Sequence, residues 1–352
     1  MNANTRDVRI RNAQPLITPW VLAEEQPLPD AQAETIASAR QTIEDILSGK
    51  DKRILAIVGP CSVHDPDALL DFARQFKALC EPLKDAVFPV LRVYFEKPRT
   101  VVGWKGLIND PDLDGSFHIN KGLRTARRVL LDVAELGLPA ASEFLDTTFG
   151  QYYADLVSFG AIGARTVESQ IHRELASGLS MPVGFKNGTD GQIDVAIDAI
   201  RCAQHGHWFP SLTREGTPAI LQSQGNPHGY LILRGGKQSG PNYGSEAVQG
   251  AAMALAGKEL TPSLIVDCSH GNSEKDHRRQ TQVVLSICEQ IEQGQTAIKG
   301  IMLESHLVGG NQNIADAGQL TYGQSITDAC LSLSDTGPLL EQLAAAIRKM
   351  GT

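Results

Sequence analysis

Short apolar runs alternate with amphipathic stretches along most of this chain. The runs cover 54–58, 88–94, 140–144, 161–163, 183–186, 230–233, 264–268 and 298–303. Stretches of helical spacing follow them at 66–79, 123–136, 149–158, 169–179, 192–205, 245–257, 278–293 and 325–350. Runs that are apolar throughout, rather than at every second residue, mark parallel strands buried on both faces. Eight such βα units in about 300 residues predict a (β/α)8 TIM barrel. An open doubly wound sheet is the competing α/β arrangement, but no GxGxxG follows the first strand to favour it.

Two segments fall outside the alternation. Residues 1–50 carry a predicted helix at 30–47, stopped by Gly49, and read as an N-terminal extension. Residues 51–352 then form the catalytic barrel. Between its fifth helix and sixth strand, residues 207–227 alternate apolar and polar positions around Gly216 and Gly225, which predicts an inserted β-hairpin.

A TIM barrel builds its active site at the C-terminal ends of the strands. Here every predicted end carries polar groups: Cys61-Ser62, Arg92, Glu143, Arg165-Thr166, Lys186-Asn187, Arg234, Asp267 with His270, and Glu304. Strand ends that exit to water explain one or two of these. They do not explain Arg92, Arg165, Lys186 and Arg234 set directly against apolar runs, because buried cations need anionic partners. The set points to a phosphorylated, carboxylated substrate, which Arg grips with a fork and Lys with a point charge. Cys61, His270 and Glu304 end the first, seventh and eighth strands, neighbours in a closed barrel, and Asp328 follows. Together they suit a borderline divalent metal. Taken singly, Cys61 reads equally well as a small buried residue, and Asp328 as the cap of the last helix.

Composition adds exclusions. The 352 residues carry a net charge of −8, which argues against broad nucleic-acid binding. No run of 18 apolar residues and no apolar leader occur, so membrane spanning and secretion are not expected and a cytoplasmic protein is. The six cysteines form no CxxC and read as free thiols. Cys330, two residues beyond Asp328, is a candidate partner for Cys61 on oxidation.

The longer motifs bear a family resemblance. Gly59-Pro60-Cys61-Ser62-Val63-His64-Asp65, Lys97-Pro98-Arg99-Thr100, Gly103-Trp104-Lys105-Gly106, Gly163-Ala164-Arg165-Thr166, Gly184-Phe185-Lys186-Asn187-Gly188-Thr189-Asp190 and Leu233-Arg234-Gly235-Gly236-Lys237 resemble type I, feedback-regulated 3-deoxy-D-arabino-heptulosonate 7-phosphate (DAHP) synthase. The resemblance implies condensation of phosphoenolpyruvate with erythrose 4-phosphate, the first step of the shikimate pathway. It implies one divalent ion (Mn2+, with Fe2+, Co2+ or Zn2+ as alternatives) on Cys61, His270, Glu304 and Asp328. Phosphoenolpyruvate would meet Arg92, Lys105, Ala164, Arg165, Lys186 and Arg234, and the sugar Lys97, Pro98, Arg99 and Thr100. Cys61, Lys97, Glu143, Lys186 and His270 would carry the chemistry. The related octulosonate phosphate synthase takes a five-carbon sugar, and the Lys97–Thr100 motif and the extension disfavour it. A binding protein on a retired barrel would not keep both the metal and the cation sets.

The resemblance further implies a homodimer or homotetramer, with an aromatic amino acid bound at Asp146, Gly150, Gln151, Ser180, Phe209, Ser211 and Leu221 and covered by Asp7 of a neighbouring subunit. Phenylalanine- and tyrosine-sensitive members carry proline where this chain has Gly150, and tryptophan-sensitive members resemble it there. Tryptophan is therefore the expected effector. The stretch 266–272, closer to tyrosine-sensitive members, makes tyrosine the alternative.

Overall fold

The computed structural model describes residues 5–314 and 320–350. Two helices, α1 (Pro19–Glu25) and α2 (Asp30–Ser48), open the chain. Strand and helix then alternate through β1 (Ile54–Gly59), α3 (Pro66–Cys80), β2 (Val87–Arg92), α4 (Ile119–Glu135), β3 (Ala140–Glu143), α5 (Gly150–Tyr153), β4 (Phe159–Ile162), α6 (Gln170–Gly178), β5 (Val183–Lys186) and α7 (Asp194–Ala203). A hairpin of β6 (Trp208–Leu212) and β7 (Pro218–Gln222) intervenes. The alternation resumes with β8 (Gly229–Leu233), α8 (Ser245–Ala256), β9 (Leu264–Asp267), α9 (Gln280–Glu292) and β10 (Ile298–His306). Three short strands, β11 (Val308–Asn311), β12 (Gln324–Ser325) and β13 (Leu331–Ser332), precede α10 (Leu333–Met350).

Strands β1 to β5 and β8 to β10 pair in parallel in that order, and β10 pairs back onto β1 from Leu55↔Gly300 to Gly59↔Glu304. The sheet is therefore closed, and the chain is a (β/α)8 barrel. Side chains alternate across it. One buried cluster, including Ala56, Val58, Leu91 and Leu303, lies against the helices. A separate one, including Leu55, Ile57, Val90, Ile232, Ile265 and Met302, fills the interior. Ile43, Ile46 and Leu47 of α2 belong to that interior cluster, so α2 plugs the barrel beside the strand starts. This helix lies within the segment read from sequence as an extension.

Two helices differ from the sequence expectation. The last begins at Leu333, not at residue 325. The backbone of the intervening stretch is taken up elsewhere: Gly310 and Cys330 exchange hydrogen bonds, and Leu331 and Ser332 pair with Ser305 and His306 of β10. The cap falls to Ser332, whose hydroxyl accepts from the N–H of Asp335 at 3.1 Å, and not to Asp328. Helix α5 covers only Gly150–Tyr153, followed by a tight turn at Ala154–Leu156, instead of 149–158. There the carbonyls leave the helical ladder for side chains: Arg127 donates to Tyr152 O, and Arg40 to the carbonyls of Ala154 and Val157.

Candidate active site

The interior register carries the apolar fill of the barrel straight into its chemistry. Two residues beyond Val90 stands Arg92; beyond Ala141, Glu143; beyond Gly184, Lys186; beyond Ile265, Asp267; beyond Met302, Glu304. Each lies at a strand's C-terminal end, and each is buried. A row of ionised groups in a closed barrel survives only if paired. Arg92 Nη2 meets Glu304 Oε1 at 3.1 Å, and Lys186 Nζ meets Asp267 Oδ2 at 2.9 Å.

Above this floor, Cys61, Glu304 and Asp328 bring their ligand atoms within 4.8 Å of one another. The Sγ of Cys61 donates to Asp328 Oδ2 at 3.6 Å. His270 adds its imidazole: Nε2 lies 3.7 Å from Glu304 Oε1, while Nδ1 lies 3.0 Å from Asp267 Oδ2. That carboxylate fixes the ring as an outer partner fixes a metal-bound histidine, leaving Nε2 to face the cluster. One thiol, one imidazole and two carboxylates make a mixed S, N, O donor set that fits a borderline divalent cation. The Lys97 ammonium sits among them, donating at 2.8 Å to both Cys61 Sγ and Asp328 Oδ2. Burial opposes ionisation of Asp328, yet Lys97 holds its carboxyl well below the usual range. Burial, with Glu304 and Asp328 nearby, pushes the Cys61 thiol up. A divalent ion would reverse that, since a coordinating thiol is deprotonated.

The remaining predicted residues differ in burial and partners. Arg92 is an underside support. Its guanidinium donates to Pro60 O, Cys61 O, Met302 Sδ and Glu304 Oε1, and stacks 3.7 Å from the Tyr94 ring centroid. Of the roughly five N–H groups an arginine offers, one is left for an incoming anion. Arg165 and Lys105 are exposed, and Arg234 is half-buried with no carboxylate among the described residues hydrogen-bonded to it. Burial lowers the pKa of Arg234, and the charge of Arg165 lowers it further. Two guanidiniums that repel each other at a barrel mouth favour an anion between them. Ala164 precedes Arg165 on the same loop. Gly163 leaves room for Glu143, whose carboxylate a Cβ there would strike. Arg99 and Thr100 are exposed, and Arg99 Nε donates to Trp104 O at 2.8 Å, which ties Pro98–Thr100 to the Lys105 segment.

The predicted effector residues gather around a cavity of about 880 Å³, lined by Gly150, Gln151, Ser180, Phe209, Ser211 and Leu221. It lies between α2, α5, the end of α6 and the hairpin. Arg40, Arg127 and Arg214 also reach it. Asp146 and Asp7 do not line it. The N–H of Asp146 donates to Glu96, its neighbour Thr147 lines the cavity, and Asp7 is exposed on the N-terminal segment.

Four further residues contribute, of which the sequence marks only Asp267, as a polar strand end. Asp267 bridges Lys186 and His270. Gln280, fully buried, donates to Glu304 O at 3.1 Å and accepts from Glu304 N–H at 2.9 Å, clamping that residue's backbone. Asn242 and Asn272 join Asn187 in linking neighbouring loops. An Asp ending an otherwise apolar strand was a legible signal; a glutamine at a helix start was not.

A sequence profile of the DAHP synthetase I family matches residues 30–341. The Phe-sensitive phospho-2-dehydro-3-deoxyheptonate aldolase of Escherichia coli (strain K12) is 53% identical over 348 residues, 99% of each chain. The Trp-sensitive enzyme of Enterobacter agglomerans is 52% identical over 343 residues, 97% of this chain and 98% of that one. The solved structure of the aldolase of that name from Francisella tularensis SCHU S4 superposes with a TM-score of 0.95 at 48% identity, over 97% of this chain and 99% of that one.

Proposed function

The chain belongs to the DAHP synthetase I family, and on that premise we propose that it condenses phosphoenolpyruvate with D-erythrose 4-phosphate and water to give DAHP and phosphate, the first step of the shikimate pathway. The observation that carries this reading is the meeting, at one barrel mouth, of a thiol–imidazole–carboxylate donor set with the neighbouring guanidiniums of Arg165 and Arg234. Cys61, His270, Glu304 and Asp328 would hold a divalent ion, with Mn2+ the expected one. When bound, that ion supplies Lewis acidity for an aldehyde oxygen.

The protein's own groups do the rest. Arg165 and Arg234 clasp the phosphate and carboxylate of phosphoenolpyruvate, with Lys186 beneath them and Lys105 from the facing loop. Arg99 and Thr100 hold the phosphate of the sugar, and Pro98 shapes their turn. The methylene carbon of phosphoenolpyruvate bonds to the aldehyde carbon, and the aldehyde oxygen gains a proton. Lys97, already at the donor cluster, is the cation placed to give that proton or to stabilise the oxygen. Water then adds to the enol carbon, and the bond from that carbon to the phosphate oxygen breaks, releasing phosphate and leaving the ketone. Glu143, facing the same interior, is the candidate to orient the water. Holding both reactants in order can account for a large share of the acceleration.

Inhibition by an aromatic amino acid in the cavity beside α5 belongs to the same reading. Gly150 favours tryptophan, with phenylalanine as the alternative; relatives with each sensitivity remove the need for tyrosine. We also propose that the N-terminal extension makes contacts in a dimer or tetramer and brings Asp7 to a neighbour's cavity. Among the described residues no helix is long and apolar enough to cross a membrane, and we propose a cytoplasmic location.

The test is direct. Protein, Mn2+ and both substrates should release phosphate and form a seven-carbon product by mass, and a strong chelator should stop it. Phosphate release without sugar, equal use of a five-carbon sugar phosphate, or indifference to the chelator would each sink the reading.

A further inference from the structure

The loops after β5, β8 and β9 carry Lys186, Arg234 and His270, and three asparagine side chains sew them into one body. Asn187 is fully buried and all its side-chain valences are used. It donates to Gly188 O at 2.9 Å and Gly235 O at 3.1 Å, and accepts from Arg234 N–H at 2.8 Å and from Asn242 Nδ2 at 3.2 Å. Asn242 accepts from Gly235 N–H at 2.7 Å, and its own N–H donates to Asn272 Oδ1 at 2.8 Å. Asn272, also buried, donates to Leu233 O at 3.1 Å and Asp267 O at 2.8 Å.

Beneath this relay the backbones interlock. Gly271 N–H donates to Arg234 O at 3.0 Å. A Cβ on Gly235, which has φ +69°, would collide with Gly271 and Asn272, and one on Gly271 would collide with Gly235 and Gly236. Neither loop can shift without the other. The region is also strained: His270, Glu274 and Lys275 all have positive φ (57°, 50° and 66°). Residues of these types hold such a conformation only where their surroundings enforce it.

We propose that the Asn187–Asn242–Asn272 relay is a positioning device that fixes the anion-binding Arg234 relative to the metal-ligating His270. The three asparagines touch no reacting atom. They set the separation between the cation that would grip phosphoenolpyruvate and the imidazole that would ligate the metal. A bond must form between reactants held on those two supports, and misplacement of about 1 Å at such a distance can cost on the order of a hundredfold in rate. An asparagine suits each node because it both donates and accepts; an aspartate of the same shape cannot donate.

The inference rests on the roles proposed for Arg234 and His270, and its test has a readout independent of turnover. Asn242→Asp keeps the acceptor for Gly235 but sets an oxygen against Asn187 Oδ1. Metal-free protein would be titrated with Co2+ and the thiolate-to-cobalt absorption followed. The KM values for phosphoenolpyruvate and erythrose 4-phosphate would be measured on the metal-loaded enzyme. Outer partners of metal ligands typically change affinity about 10–100-fold, so the expected result is a Co2+ dissociation constant and a phosphoenolpyruvate KM each raised roughly tenfold, with the sugar KM within about twofold of wild type. A lowered Tm with both constants unchanged overturns the proposal, because the relay is then only structural. A change in one constant alone also overturns it, because the two supports are then not linked. Asn242→Ala at this half-buried position serves if the aspartate form does not fold, and failure of both to fold overturns a positioning role. If the wild type binds Co2+ but does not turn over, the functional reading fails. The relay is then judged by Co2+ and inorganic phosphate affinities, which should weaken together.

Discussion

Single residues at the barrel mouth divide into those exposed to an arriving substrate and those already spoken for. Arg165 and Arg99 are exposed on different loops, and their removal should separate the substrates. Arg165→Ala should raise the KM for phosphoenolpyruvate and Arg99→Ala that for erythrose 4-phosphate, each by the roughly 1.5–3 kcal/mol of a charge-assisted hydrogen bond. Steady-state kinetics with each substrate varied in turn decides it, and an effect of both changes on one substrate refutes the division. Glu96 behaves differently. It is buried beneath the sugar loop, accepts from Asp146 N–H at 3.2 Å, and its pKa is pushed up to about 8 by burial, with Asp146 and Glu143 adding to the rise. An unfolded glutamate titrates near 4.3. Between those values the unfolded chain releases a proton that the folded one keeps, so this group makes stability fall as pH rises from about 4.3 to 8, by a total on the order of 5 kcal/mol. Glu96→Gln should flatten that part of the urea midpoint–pH profile, and an unchanged slope would show that Glu96 is ionised throughout. From sequence, Glu96 was only the neighbour of Lys97. Its burial depends on the Gly106 strand partner and the Asp146 loop, contacts between distant segments that no local pattern announces.

At the scale of elements, the strands were legible because a buried parallel strand writes itself as an apolar run, and its polar end marks the catalytic face. The short helix α5 was not, because its length is set by Arg40 and Arg127 drawing carbonyls out of the ladder from elsewhere in the chain. The last helix was overextended for a similar reason: the stretch before Leu333 finds its partners on β10 and Gly310, which frees Asp328 for the donor cluster. Gly150 is the first residue of α5 and borders the large cavity. A proline is tolerated at that helical position, where an N–H has no ladder partner. A Cβ there would stand 3.5 Å from the Phe144 ring, an ordinary contact. Gly150→Pro should therefore fold and turn over, while its ring narrows the cavity. Inhibition by tryptophan should weaken relative to phenylalanine, measured as half-inhibitory concentrations for the two amino acids. An unchanged ratio would remove Gly150 as the determinant.

For the whole molecule, the segment ahead of α2 presents apolar side chains to the surface. Val8 and Ile10 are 59% and 65% exposed, and Trp208 and Ile220 on the hairpin are 67% and 74% exposed. These belong to the two pieces added to the barrel, and both adjoin the large cavity beside α5: Phe209 and Leu221 of the hairpin line it, as does Pro19 of α1. In the proposed dimer or tetramer these are the side chains a neighbouring chain would cover. The segment is anchored at Pro15 and Ile17, where Asn120 Nδ2 donates to Pro15 O and Ile17 N–H donates to Asn120 Oδ1. Cutting ahead of that anchor leaves the α2 plug and every catalytic contact in place. A chain lacking residues 1–12 should keep its kcat within about twofold, because no group of the barrel mouth is touched. It should also lose most inhibition by an aromatic amino acid, since coupling of about 1–3 kcal/mol between effector and active site requires the effector to bind one state better than the other. Light scattering on the same preparation should give a smaller assembly. If the truncated chain keeps both its mass and its inhibition curve, the effector is held within one chain and Asp7 plays no part in it. If catalysis falls with inhibition, the segment supports the barrel itself and is not a separate regulatory piece.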